Sequence, residues 1–210
     1  MSKGHRPLYL GGLCLLLERE LDGKSAFDTV VSIIPKGIKW VQLRDKESTP
    51  LQLYKSARLL RTVTSINDVT LIINDRPDIA MAAGADGVHL GQDDLPIVEA
   101  KKMMGGKLTG VSTHNLQQAI EAQRNGADYI GFGPIFDSST KDAGPPLGPE
   151  AITELLPYIT IPIVAIGGIN LDNLESVLNA GANAVAVASA ITYEDDIPEA
   201  VQRFMGILGS

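Results

Sequence analysis

Short apolar runs recur along the chain at even spacing, and between them lie amphipathic or alanine-rich stretches. The runs at 13–17, 38–43, 70–74, 86–90, 108–112, 128–132, 162–166 and 184–188 read as strands. Most are continuously apolar rather than alternating, the pattern of parallel strands covered on both faces. The stretches at 25–35, 50–63, 77–83, 95–104, 115–125, 149–157, 171–180 and 196–207 read as helices. Capping signals open several of them, among them Ser48-Thr49-Pro50 and Asn170 before Leu171.

A repeat underlies this alternation. Gly37-Ile38, Gly84-Ala85-Asp86, Gly126-Ala127-Asp128 and Gly181-Ala182-Asn183 each stand between a helix and strands two, four, six and eight. A glycine there suits a left-handed helix cap, and the repeating unit is two strand–helix pairs. Eight pairs in 210 residues predict an α/β fold: one single-domain (β/α)8 TIM barrel over residues 1–210, with residues 1–7 a frayed extension. A doubly wound open sheet typically stops at five or six strands.

Composition narrows the function. The formal net charge of −7 argues against a non-specific nucleic-acid binder or a ligand of anionic membranes. An anionic ligand therefore needs local cations or a metal. Cys14 is the only cysteine, so no internal disulfide is possible and a reducing compartment fits. Lys3, Arg6 and the apolar run 8–17 superficially resemble an export signal, but Glu18-Arg19-Glu20 follows in place of a small-residue cleavage site. The run is also too short to span a bilayer, and the expected location is cytoplasmic.

A barrel of this kind does its chemistry in the loops after its strands. Polar residues gather there. Gln42, Arg44 and Lys46 alternate along the end of strand two, a fork and a point charge suited to phosphate oxygens or a solvated strand end paired by Asp45 and Glu47. Asp75 and Asp94 close strands three and four. They could share one Mg2+ with substrate oxygens, or cap the helices opened by Pro77 and Pro96. Gly167-Gly168 and Ser189 follow strands seven and eight, where barrels commonly seat a phosphate; a tight turn is the other reading. The polar stretch 137–148 could be a lid carrying Lys141, or a plain surface loop. His89 lies within strand four as a barrel-interior histidine, and His114 after strand five could face the site. His5 belongs to the frayed end, and Cys14 reads as core. No second His or Cys at ligand spacing supports zinc.

These residues resemble a family. VQLRDK at 41–46, IINDR at 72–76, GVHLGQDD at 87–94, GVSTH at 110–114, GPIF and STK within 133–141, AIGGI at 165–169 and VASAI at 187–191 resemble the successive motifs of the thiamine phosphate synthase family. The resemblance implies joining of a hydroxymethylpyrimidine diphosphate to a thiazole phosphate, with Mg2+ and loss of pyrophosphate. It implies that Gln42, Leu43, Arg44, Asp45, Lys46, Asn74, Ser112 and Lys141 hold the pyrimidine diphosphate. Ser138, Ser139, Thr140, Gly168, Ala188 and Ser189 would hold the thiazole phosphate, and Asp75 and Asp94 the Mg2+. Arg44, Lys46 and Lys141 would stabilise charge on the departing pyrophosphate. Two departures stand out: Leu17-Glu18 where the family typically has Thr-Asp, and Asp137 at the head of the lid. A thiazole tautomerase on the same fold typically carries a histidine where Pro134 stands, and a non-catalytic phosphate-binding regulatory barrel would not need both carboxylates.

Overall fold

All eight apolar runs are strands, and they close on one another because neither of their faces can be left to water. The structure is a computed structural model describing residues 10–21, 23–137 and 144–209. The strands are β1 (Gly12–Leu17), β2 (Trp40–Leu43), β3 (Thr70–Asn74), β4 (Gly87–Leu90), β5 (Leu108–Thr113), β6 (Tyr129–Phe132), β7 (Ile163–Ile166) and β8 (Ala184–Val187). They pair in parallel in chain order, and β1 pairs with both β2 and β8 to close the barrel.

Around it run α1 (Ala26–Ile33), α2 (Pro50–Ile66), α3 (Pro77–Ala83), α4 (Ile97–Met104), α5 (Leu116–Arg124), α6 (Glu150–Leu155), α7 (Leu174–Asn179), the single turn α8 (Ser189–Thr192) and α9 (Ile197–Leu208). The Thr49 hydroxyl accepts from Gln52 N–H while the Gln52 side chain accepts from Thr49 N–H, a capping box that starts α2. Helix α7 begins later than the pattern predicts. The Asn170 side chain accepts from the N–H groups of Asp172 and Asn173, and this local turn holds the chain out of the helix until residue 174. The hairpin of Glu20–Leu21 and Lys24–Ser25, and α8, have no counterpart in the pattern because each element spans only about one period, too little to repeat. The expected frayed segment 1–7 lies outside the described residues.

Alternate side chains divide between two cores. Leu13, Leu15, Leu17, Val41, Leu43, Leu71 and Ile73 face outward and are buried under the helices. Cys14, Trp40, Ile72, Tyr129, Val164 and Ala186 face inward and fill the barrel.

The repeat closes the floor of the barrel. Gly37, Gly84, Gly126 and Gly181 all have positive φ, between 74° and 103°, which turns the chain out of each helix. The third residue of three of these units then latches the preceding strand. Asp86 donates its N–H to Leu71 O and accepts Leu71 N–H on its carboxylate. Asp128 does the same with Thr109, and Asn183 does so with Ile163 through its amide oxygen. Arg61 and Lys101 pair with Asp86 and Asp128 at 2.8 and 2.9 Å.

Candidate active site

The opposite rim gathers the polar strand ends. Parallel register sets Gln42 beside Ile72 and Asn74 beside His89, so side chains of neighbouring strands meet at one level inside the barrel mouth. Gln42 Nε2 donates to Asn74 Oδ1 at 2.6 Å, and Asn74 Nδ2 donates to Asp75 Oδ1 at 2.5 Å. Asp75 has a left-handed backbone (φ 63°), which aspartate tolerates better than most residues. Its N–H donates to His89 O at 2.7 Å, which anchors that turn to β4.

Asp94 comes from the next loop, where its Oδ2 accepts Gly91 N–H at 2.6 Å. Burial raises the Asp75 carboxyl to about 6, and a hydrogen bond and charge repulsion from Asp94 push the same way against the attraction of Lys46. Two carboxylates held this close, one reluctant to ionise, are a donor set that a divalent cation relieves. Among the described residues no group of three acidic, His or Cys side chains forms a metal cage, so a cation on this pair would find two carboxylates and take its remaining ligands from other oxygens.

The Arg44 side chain is half-buried at the mouth and has no hydrogen-bond or ion-pair partner among the described residues. Lys46 is exposed, and its charge acts on Asp75. Asp45 is committed to its own loop. It accepts from Glu47 N–H, Ser48 N–H and Ser48 Oγ and lies 3.6 Å from Arg19 Nε. Burial works to raise its carboxyl, and those hydrogen bonds overcome this and hold it low. The Leu43 side chain is buried on the helix side, so only its backbone reaches the mouth.

Below Arg44 a pocket of about 80 Å3 descends into the barrel. Cys14, Leu16, Val164, Ile166 and Ala186 make its apolar wall; Gln42, Asn74, His89 and Ser112 make the polar one. His89 is the satisfied interior histidine expected. Its Nδ1 is 3.1 Å from Tyr129 Oη and its Nε2 2.9 Å from Ser112 Oγ, and burial lowers its pKa to about 4. Burial raises the Cys14 thiol, which behaves as core. Tyr129 is a site residue that the sequence pattern does not single out. Its one signal is parity: 129 and 131 fall on the inward face of β6, beside Gly110 and Ser112 of β5.

The thiazole-phosphate set is only partly described. Ser138, Ser139, Thr140 and Lys141 lie outside the described residues. Ala188 and Ser189 are exposed at the start of α8, and Gly168 lines a wide cleft of about 560 Å3 with Phe136, Asp137, Asn170 and Asn173. Gly167 and Gly168 have a packing reason of their own. A Cβ at Gly167 would come 2.6 Å from Pro134 Cα, and one at Gly168 2.3 Å from Asp137 O. The pair lets residues 134–137 run against β7, with Phe136 N–H donating to Gly167 O. His114 is exposed at the head of α5, with Nδ1 2.6 Å from Gly133 O. Leu17 faces the helix layer, so of the first-strand departures only the exposed Glu18 reaches the mouth.

The family described as thiamine monophosphate synthase matches residues 13–191. A thiamine-phosphate synthase of Chloroflexus aurantiacus is 44% identical over 187 residues, covering 89% of this chain and 87% of that protein. One of Clostridium novyi is 44% identical over 198 residues, covering 93% and 97%. In three dimensions the chain is similar to thiamine phosphate pyrophosphorylase from Pyrococcus furiosus, with a TM-score of 0.88 at 34% identity over 94% of this chain and 95% of that one. A 3-hexulose-6-phosphate synthase superposes with a TM-score of 0.70 at 18% identity, a likeness of fold alone.

Proposed function

The chain belongs to the thiamine monophosphate synthase family, and from this we infer that it is a transferase with thiamine-phosphate synthase activity, acting on two small phosphorylated substrates. The reaction joins a hydroxymethylpyrimidine diphosphate to a thiazole phosphate, in free or carboxylated form, and releases pyrophosphate. One observation carries the site assignment. Arg44, a half-buried cation without a partner among the described residues, stands over a pocket lined by Asn74, whose amide donates to Asp75 of the Asp75–Asp94 pair.

In this reading Gln42, Asn74 and Ser112 hold the pyrimidine diphosphate, with the backbone of Leu43 and the loop braced by Asp45. Arg44, Lys46 and Lys141 gather positive charge on the diphosphate as its bond to carbon breaks. Gly168, Ala188 and Ser189, with Ser138, Ser139 and Thr140, hold the thiazole phosphate. Members of the family use a metal ion, and Asp75 and Asp94 would hold it here as Mg2+, which neutralises diphosphate charge when bound. The aminopyrimidine supports a benzylic-type cation once pyrophosphate leaves, and the thiazole nitrogen attacks it. No covalent nucleophile is needed. The apolar wall of the pocket excludes water that would otherwise trap the cation.

A tautomerase would need a base at position 134, and the buried Pro134 offers none. Among the described residues no helix is long and apolar enough to cross a membrane. The lone buried Cys14 supports a cytoplasmic setting. The deciding experiment mixes both substrates with Mg2+ and follows pyrophosphate. Release that depends on both substrates supports the assignment, and its absence, with an intact fold, refutes it.

A further inference from the structure

We infer that Tyr129 and His89 form a directional hydrogen-bond relay that fixes the Ser112 hydroxyl as a donor into the barrel pocket, making both rings positioning residues for the pyrimidine substrate. The functional half of this inference rests on the placement of Ser112 proposed above.

The three residues come from consecutive strands β4, β5 and β6, and all face inward. Tyr129 Oη lies 3.1 Å from His89 Nδ1, and His89 Nε2 lies 2.9 Å from Ser112 Oγ. The two rings are tilted by 30° with centroids 5.4 Å apart. Each has a socket made by a missing side chain, on the adjacent strand for Tyr129 and two strands away for His89. A Cβ at Gly110 would stand 2.1 Å from Tyr129 Cζ, and one at Gly131 would stand 3.0 Å from His89 Cε1. With alanine at Gly110 the Tyr129 ring could not hold this position, and alanine at Gly131 would press on the His89 ring.

The direction of the relay follows from counting protons. Tyr129 is buried, and among the described residues its hydroxyl has one partner, His89 Nδ1. The aromatic ring it meets edge-on, Trp40 at 5.2 Å, carries only an N–H donor. A buried hydroxyl proton needs an acceptor, so Tyr129 donates and Nδ1 accepts. A neutral imidazole then carries its proton on Nε2 and donates it to Ser112 Oγ. The proton of Ser112 is left to point into the pocket, beside Gln42 and Asn74. The polar wall thus presents a hydroxyl donor with its direction set in advance. It suits a ligand atom with a free lone pair, such as a ring nitrogen.

The test has a spectroscopic arm and a kinetic one. In protein labelled with 15N-histidine, the His89 signal, identified by its loss in His89→Gln, should show the Nε2–H tautomer. Tyr129→Phe keeps the ring in its socket and removes the donor. It should shift that signal toward the Nδ1–H form and raise KM for the pyrimidine diphosphate about three- to tenfold, with KM for the thiazole phosphate unchanged. Ser112→Ala should raise the same constant, and adding Tyr129→Phe to it should raise it no further. An Nδ1–H tautomer in the parent protein, or equal changes in both KM values in Tyr129→Phe, would overturn the relay. Unchanged KM for the pyrimidine diphosphate in Ser112→Ala, with the Nε2–H tautomer present, would instead overturn the placement of Ser112.

Discussion

Asp75 and Asp94 reach one another from the ends of consecutive strands, near enough for a hydrogen bond, and their proximity adds to burial in lifting the Asp75 carboxyl to about 6. In the unfolded chain that carboxyl returns to about 3.8. Between these values the folded chain binds more protons, so this pair's contribution to stability is present below about pH 4 and is lost as pH rises through 6. A divalent cation needs both groups ionised. Mg2+ binding should therefore release a proton below about pH 6 and tighten with pH through that range. Calorimetry in buffers of different ionisation enthalpy measures this, and affinity that stays flat from about pH 5 to 7 contradicts it. Asp94→Asn should cut turnover by orders of magnitude and leave the fold intact.

The two substrates should respond to different residues. Arg44→Ala should raise KM for the pyrimidine diphosphate and Ser189→Ala KM for the thiazole phosphate. Each loses a hydrogen bond to a charged oxygen, about 1.5–3 kcal/mol or roughly 10- to 150-fold. Both variants acting on one substrate would contradict the two-site map.

Lys141→Gln removes charge while keeping much of the side chain. A cation that meets the leaving group mainly in the transition state should lower kcat about 10²- to 10³-fold, by analogy with the loss of one preorganised oxyanion donor. A value within about twofold of the parent, read as pyrophosphate release, would assign that work to another cation.

Gly110→Ala tests the packing inside the barrel. The added methyl meets the fully buried Tyr129 ring, 2.1 Å from its Cζ. Overpacking of this kind costs about 1–3 kcal/mol, or roughly 2–12 °C in Tm at this chain length. Tyr129→Leu in the same chain should recover part of the loss. An unchanged melting temperature for Gly110→Ala would show that the ring moves freely.

The floor latches separate hydrogen bonding from charge. Asp128→Asn keeps the acceptor for Thr109 N–H and loses only the half-exposed Lys101 pair, so it should cost less than about 1 kcal/mol. Asp128→Ala orphans the amide and should cost about 1–3 kcal/mol in denaturant unfolding. Equal losses in the two variants would show that the ion pair with Lys101, and not the bond to Thr109, holds this seam.

Strand positions were legible because burial on both faces leaves an apolar run that no helix face imitates, as 70–74 illustrates residue for residue. Helix starts were legible where the cap lies next to the helix, as at Thr49, and not where a side-chain turn intervenes, as at Asn170. At the site, the placing of Arg44, Asp75 and Asp94 at the mouth followed from their positions just beyond strand ends. What a linear pattern cannot carry is which neighbour consumes a polar group. Asp45 looks like any other mouth carboxylate until Ser48 and Glu47 are found on it. The glycines at 167 and 168 suggest a phosphate cradle, and a linear pattern does not show that the close approach of residues 134–137 needs them as well.

The handshakes of Asp86, Asp128 and Asn183 join β3 to β4, β5 to β6 and β7 to β8, and among the described residues this form recurs across no other seam. The unit before β2, Gly37-Ile38-Lys39, has no acceptor at the matching place. The barrel is therefore paired along its circumference, a four-beat object with one silent beat. A lineage that lengthened, shortened or recombined such a chain could do so without breaking a latch only by moving two strands at once.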